Sequence, residues 1–242
     1  MSDVFSTDQL IKDLSHPDWQ RRYSAADRLK VVGDERATPS LVALLRDDNP
    51  TVRFIAARTL GIFRSEAAVQ SLVEVLAQTD DPDLQWAVAQ ALAEIGEAAV
   101  MSLMALLDGD SAMARAVAAD VLGDIADPRS LDALAVAFTR YGAQDFEAVG
   151  RVATAAALER FGEAATLPLL TALDDGSPLV RARAAASLGR MNSEASVPAI
   201  IDLLADEVPC DDEHRVCDIA AQALQKIGTP EALAAVAGWQ AE

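Results

Sequence analysis

The residues with the most evident chemical potential sit in one stretch, "CDDEHRVCD" at 210–218. Cys210, His214 and Cys217 have Cys-x3-His-x2-Cys spacing and offer three zinc ligands. His214 and Cys217 are three residues apart, so on a helix they share a face. A structural zinc site normally brings a fourth cysteine or histidine, and the only other histidine is His16, at the far end of the chain. Cys217 also falls at a position suited to a small buried thiol. The acids around it read as a helix-start cluster, which the helix dipole favours. The stretch is expected to hold no metal.

Other catalytic patterns are missing. The sequence contains no G-x-S-x-G, no phosphate-binding loop and no series of metal-binding His-Glu pairs. Both histidines fall in turn regions, which leaves histidine-based acid–base chemistry without a candidate. Carboxylates are abundant but form no recognisable constellation. The expectation is a protein without catalytic residues and without a cofactor.

Composition narrows the partners. The formal net charge is −18, which argues against nucleic acid and anionic membrane as ligands, since both need basic surface. It suits solubility and recruitment of a basic partner. No uncharged apolar run reaches the ~18 residues a membrane span needs. The N-terminal "MSDVFSTDQLIKDLS" lacks the basic-then-apolar pattern of a secretory signal. Two cysteines make no disulfide framework. These features point to the cytoplasm.

The elements that must position any site come from an internal repeat. Seven helical segments align on Leu29, Leu60, Leu92, Leu122, Leu158, Leu188 and Leu224, spaced 31, 32, 30, 36, 30 and 36 residues apart. Examples are "AARTLGIFR" (56–64) and "AAQALQKIG" (220–228). Each is followed by a second apolar helix such as "AAVQSLVEVLAQ", with turns such as "DDNP" and "DDGSP" between them. Only 5% of residues are aromatic, and alanine and leucine dominate, which favours helix. A unit of ~30 residues cannot bury its apolar face alone, so neighbours must stack. The expected fold is all-α: an α-solenoid of about seven helix–turn–helix repeats, forming one domain over 1–242, with a terminal capping helix.

"DDNPTVRFIAARTLG" (47–61) and "DDGSPLVRARAAASLG" (174–189) resemble HEAT-like repeats of the phycobilisome-lyase type, and "VGDERATPSLVALL" (32–45) resembles their second half. The resemblance covers nearly the whole chain. It implies a right-handed superhelix whose anchored helices line a concave groove. It also implies that the recurring Arg22, Arg53, Arg115, Arg151 and Arg181 pair with loop carboxylates between repeats. Gln85 and Cys217 replace that arginine, so the ladder should break at both. Proteins of this type include bilin lyases and pigment-free scaffolds, so a bilin is the ligand under one reading. A hetero-dimer with another repeat protein is one form a partner could take. HEAT-type deoxyhypusine hydroxylases need several His-Glu dipeptides, and this chain has none.

At about 100° per residue, the positions six before, five before, two before and two after each leucine point away from the core side. The first of these rows reads Tyr23, Phe54, Trp86, and then its aromatics stop. The last reads Val31, Ile62, Glu94, Asp124, Arg160, Arg190, Lys226. The expected binding patch is therefore N-terminal: Trp19, Tyr23, Phe54, Ile55, Ile62 and Trp86, with Asp27, Arg58 and Gln90 as polar neighbours. A secondary charged part of the groove comprises Glu94, Asp120, Asp124, Arg160, Arg183, Arg190 and Lys226. Two readings of the aromatic row stay open: packing onto the neighbouring helix, or binding. The basic residues fall in last helical turns, where the dipole favours cations, but Glu94 and Asp124 occupy the same position with the unfavourable sign. Two six-residue insertions, around 141–150 and 206–214, lengthen turns on one edge. The expected function is a non-enzymatic scaffold binding a protein or peptide partner in its groove. The alternative is a bilin-lyase-like or chromophore-handling protein.

Overall fold

The computed structural model describes residues 6–142 and 148–241, with side chains described outside 141–149 and 151. The insertion around 141–150 and the side chain of Arg151 therefore lie largely or wholly outside the described residues. The chain divides into two compact units, 1–125 and 126–242. The first contains α1 (Thr7–Asp13), α2 (Trp19–Val32), α3 (Thr38–Leu44), α4 (Pro50–Ile62), α5 (Val69–Gln78), α6 (Pro82–Ile95), α7 (Val100–Leu106) and α8 (Ala112–Ile125). The second contains α9 (Leu131–Gly142), α10 (Ala148–Arg160), α11 (Thr166–Ala172), α12 (Pro178–Arg190), α13 (Val197–Asp202), α14 (Val216–Ile227) and α15 (Pro230–Trp239).

The long helices start where the sequence supplies caps. The side chains of Asp18, Asn49 and Asp81 accept from backbone N–H groups in the first turns of α2, α4 and α6. Proline follows directly at Pro50 and Pro82, where its missing N–H costs nothing. Within the first unit α2, α4, α6 and α8 pack side by side, and the shorter helices form a second layer against them. Within the second unit α12 packs against α10 and α14, and α15 closes on α13 and α14.

All seven anchor leucines are 0% exposed. Each contributes roughly 1.5–3 kcal/mol by leaving water. The 3.6-residue period thus reports the core directly. The alanines beside them do a second job. Gly61 lies so close to α6 that an added Cβ would sit 2.6 Å from the Ala91 Cα, and at Gly189 it would sit 2.8 Å from the Ala223 Cα. One residue past an anchor leucine therefore packs onto one residue before the next.

The arginine ladder forms as expected at Arg22, Arg53 and Arg181, while Arg115 donates to the Gly109 and Asp110 carbonyls at 2.7 and 3.0 Å and the Arg151 side chain lies outside the described residues. Arg22 makes two hydrogen bonds to Asp47, 2.6 and 2.7 Å, and donates to the His16 and Pro17 carbonyls. Arg53 reaches Asp81 at 3.2 Å, and Arg181 reaches Asp206 at 2.8 Å. Gln85 keeps the carbonyl bond, to Thr79 O at 2.8 Å, but as a neutral amide it brings no charge to pair with a carboxylate. At Cys217 the turn is held by backbone instead, Cys217 N to Asp206 O at 2.9 Å.

Two findings refine the sequence reading. The second insertion folds as a small doubled-back turn, with an isolated antiparallel bridge between Pro209 and Arg215. Six extra residues give the chain room to pair with itself. In addition, Pro82–Leu106 passes a length and hydropathy test for a membrane-crossing helix. It is not one rod: it breaks into α6 and α7 at Gly96, whose φ of 75° ends α6, and both parts pack within the first unit.

Candidate binding face

Each long helix of the first unit has defined sides. On α4, Thr59 faces α2, because its Oγ1 donates to Ala26 O at 3.1 Å. Gly61 faces α6. Side chains one turn away on each flank follow the same directions.

Ile55 lies one turn before Thr59 on the flank facing α2. It is 3% exposed and belongs to the core, so its place in the expected patch is corrected. The angular estimate put it near the solvent side, but a helix flanked by neighbours on both sides is covered over a wider arc than a lone amphipathic helix.

Phe54 lies on the opposite flank and leans toward α6. Its ring meets Trp86 with centroids 6.1 Å apart and planes 10° from parallel, an offset stack. The row of equivalent positions is therefore physical contact, at least for these two rungs. Packing onto the neighbouring helix and exposure coexist: Phe54 is half-buried, and Trp86 remains 53% exposed. Tyr23 is half-buried, while Trp19, Val31 and Ile62 are exposed, Val31 at 90%. The first unit thus exposes Trp19, Val31 and Ile62 in addition to the stacked pair of Phe54 and Trp86, more than scattered surface apolars.

The polar neighbours differ in exposure. Asp27 is bound to Lys30 at 2.6 Å. Arg58 and Gln90 are exposed, as are Glu94, Asp120 and Asp124 farther along on α6 and α8. In the second unit Arg190 is tied to Glu159 at 2.6 Å and to Ser187. Arg160 and Lys226 are exposed, and Arg183 is half-buried. The structure thus brings the aromatic and acidic residues together in one unit and places the basic ones in the other.

The cysteine–histidine stretch is not gathered into a site. Among the described residues no group of three or more His, Cys, Asp or Glu side chains is placed to hold a metal. Cys217 is fully buried. The Cys210 thiol donates to the His214 carbonyl, and the His214 ring meets Asp211 at 3.1 Å. Burial first, then nearby aspartates, pushes both thiols above their ordinary range.

Two features escaped the sequence reading. Gly61 sets the approach of α4 to α6, and its signal was the Leu-Gly pair of the repeat. An open cavity of about 600 Å³ lies between α9 and α11, lined by Leu131, Val136, Leu167 and Pro168. It was missed because only the anchored helices were aligned for outward positions.

Repeated helix pairs, seven buried anchor leucines and an arginine ladder define a helical-repeat solenoid protein. A family model described as HEAT repeats matches residues 7–93, 71–141, 140–210 and 168–240, and the chain belongs to that family. No curated protein sequence matches it. Among solved structures it is similar to the complex of CpcE and CpcF of phycocyanin lyase from Nostoc sp. PCC7120. That match has 21% identity over 98% of this chain and 94% of that one, TM-score 0.47. It is also similar to human deoxyhypusine hydroxylase, with 23% identity over 96% and 88%, TM-score 0.43. Kap95p, solved with RanGDP, matches with 13% identity over 96% of this chain and 38% of that one, TM-score 0.56. At these identities the likeness shows the fold alone.

Proposed function

We propose that this protein is a non-enzymatic interaction scaffold whose first unit binds a partner protein or peptide across Trp19, Tyr23, Phe54, Ile62 and Trp86. The observation that carries this reading is the offset stack of Phe54 on Trp86 with half of Trp86 open to solvent. A ring already fixed on one side loses little freedom when a ligand covers it, which is how aromatic anchors gain affinity. Arg58 and Gln90 border the rings and would orient the ligand. The charged residues of α10, α12 and α14, namely Arg160, Arg183, Arg190 and Lys226, form a secondary charged surface. Affinity capture with the wild type and with Phe54→Ala and Trp86→Ala tests the reading. Partners should be lost from both variants while the fold is retained. Retention of every partner by both variants refutes it.

A second reading is favoured by the same exposed ring: a tetrapyrrole can stack on it, as the resemblance to bilin-lyase-type repeats suggests. Mixing the purified protein with a bilin should then shift the pigment's absorption, and no shift rules the reading out.

A further inference from the structure

We infer that the groove between α9 and α11 is a second docking surface, and that its occupant is an amphipathic helix of a partner protein with a cation at each end of an apolar stripe. The inference goes beyond the binding reading above, because the groove lies wholly in the second unit and uses none of the rings.

Two helix faces wall the groove, the open cavity of about 600 Å³. α9 lines it with Asp132, Val136 and Thr139, and α11 with Leu167, Pro168 and Thr171. Spacings of three and four residues put each set on one face of its helix. Val136 is 54% exposed and Leu167 73%, so a large apolar side chain stands open to water on each wall. The Thr139 and Thr171 hydroxyls donate to the Val136 and Leu167 carbonyls at 3.0 and 3.1 Å, so these donors are already used.

The two ends are acidic. Asp132 stands in the first turn of α9, and among the described residues its carboxylate has no hydrogen bond or ion pair. Asp175 follows α11 and also lines the cavity. Its Oδ1 accepts the Ser177 N–H at 2.8 Å, and among the described residues its Oδ2 has no partner. Arg181 donates to the Asp175 carbonyl, but its guanidinium is paired with Asp206. No lysine, arginine or histidine lines the cavity. α9 and α11 are second helices of successive repeats and run in the same direction. Asp132 and Leu167 hold equivalent places in them, two residues after the buried Ser130 and Ala165. Asp175 comes eight residues after Leu167, so it lies about 12 Å farther along the groove at ~1.5 Å per residue.

This pattern selects the ligand. The walls are helices that pair their backbone groups internally, so an added strand finds no edge. A helix laid in a groove needs only apolar anchors at helical spacing. A small apolar molecule would stay largely wet in a trough this open, whereas sites for such ligands cover most of the molecule. Carboxylates about 12 Å apart match cations seven residues apart on one helix face, with apolar anchors between them. The matching segment reads Arg-x-x-Leu-Leu-x-x-Arg.

The test uses the full chain and capped, fluorescein-labelled peptides of about 16 residues, long enough to hold a helix. Binding is read from the anisotropy of the label. One peptide carries Arg-x-x-Leu-Leu-x-x-Arg, a second has glutamate for both arginines, and a third scrambles the first. The arginine peptide should bind about tenfold tighter than either control. Leu167→Ser should weaken it about tenfold. Asp132→Asn should weaken it about twofold to fivefold, the range of an exposed ion pair. Both variants should melt near wild type. Trp86→Ala should leave the affinity unchanged, which separates this surface from the ring patch. Unchanged affinity in Leu167→Ser or in Asp132→Asn, equal binding of either control peptide, or no binding at millimolar concentration overturns the inference and leaves the ring reading standing. If sedimentation shows that the protein alone forms a dimer which Leu167→Ser dissociates, the occupant is a second copy and the assignment of a basic helix falls.

Discussion

Replacing Gly61 with alanine opposes two effects of known size at one atom. Gly61 lies inside α4, where alanine is favoured over glycine by about 1 kcal/mol. Propensity alone therefore predicts a more stable protein. The new Cβ, however, would sit 2.6 Å from the Ala91 Cα, against an ordinary contact of at least 3.4 Å, so α4 and α6 must part by about 0.8 Å. The obstructing atom is backbone and cannot rotate away. Overpacking of this kind costs about 1–3 kcal/mol. The steric cost outweighs the gain over most of that range, and a net loss of up to about 2 kcal/mol is expected in urea unfolding followed by circular dichroism. Around Gly238 in α15 the space is open, with no neighbouring atom within 4 Å of where a Cβ would sit, so Gly238→Ala should gain up to about 1 kcal/mol. Adding Ala91→Gly to Gly61→Ala removes the Cβ contact at 3.0 Å but leaves the Cα in place, and should restore only part of the loss. Phe54 shares the Gly61 flank of α4, so the same opening should loosen its stack and change Trp86 fluorescence. A Gly61→Ala protein more stable than wild type would refute this account of how α4 meets α6.

Other outcomes follow from the ladder and the thiols. At Asp47 burial pushes the carboxyl up, but the Arg22 hydrogen bonds, the Asn49 N–H and the charges of Arg22 and Arg53 outweigh it, and the net direction is down. Asp127 is held down to about 2 by Arg129. Folded values below the unfolded ones mean stability that is full above about pH 4 and lost as pH falls toward 2. The melting temperature should therefore be level above pH 5 and fall below pH 4, and Arg22→Gln should flatten that fall. Iodoacetamide at pH 8 should label Cys210 slowly and Cys217 only after unfolding, because burial disfavours both thiolates. Fast labelling of Cys217 in the native protein would contradict its placement.

The repeat made the architecture legible. Seven leucines at a near-constant spacing mark the core, and each is buried. At Arg22, Arg53 and Arg181 the arginine seven residues earlier marked the inter-repeat bonds, and Gln85 marked a loss of charge. The candidate site was legible in part. Tyr23, Phe54 and Trp86 align in sequence, and the Phe54–Trp86 contact follows from that register. Ile55 was misplaced because a helical wheel treats each helix as having one buried side, whereas α4 is covered by α2 and α6 as well as by the short-helix layer. The pairing of Arg190 with Glu159 was invisible for a related reason. It joins residues 31 apart on α10 and α12, and rows of like positions do not show contacts between unlike ones. The doubled-back turn at 206–215 has no periodic signal, since its backbone bonds depend on the length of the insertion.

The claim that the first unit binds through its stacked rings is tested most directly by the affinity of a captured partner for three folded variants. Trp86→Ala and Phe54→Ala should each weaken binding by about 2 kcal/mol, roughly thirtyfold, with melting temperatures near wild type. Leu233→Ala, at an exposed apolar residue of α15, should leave the affinity unchanged. Unaltered affinity in both ring variants, or a loss confined to Leu233→Ala, would contradict the account.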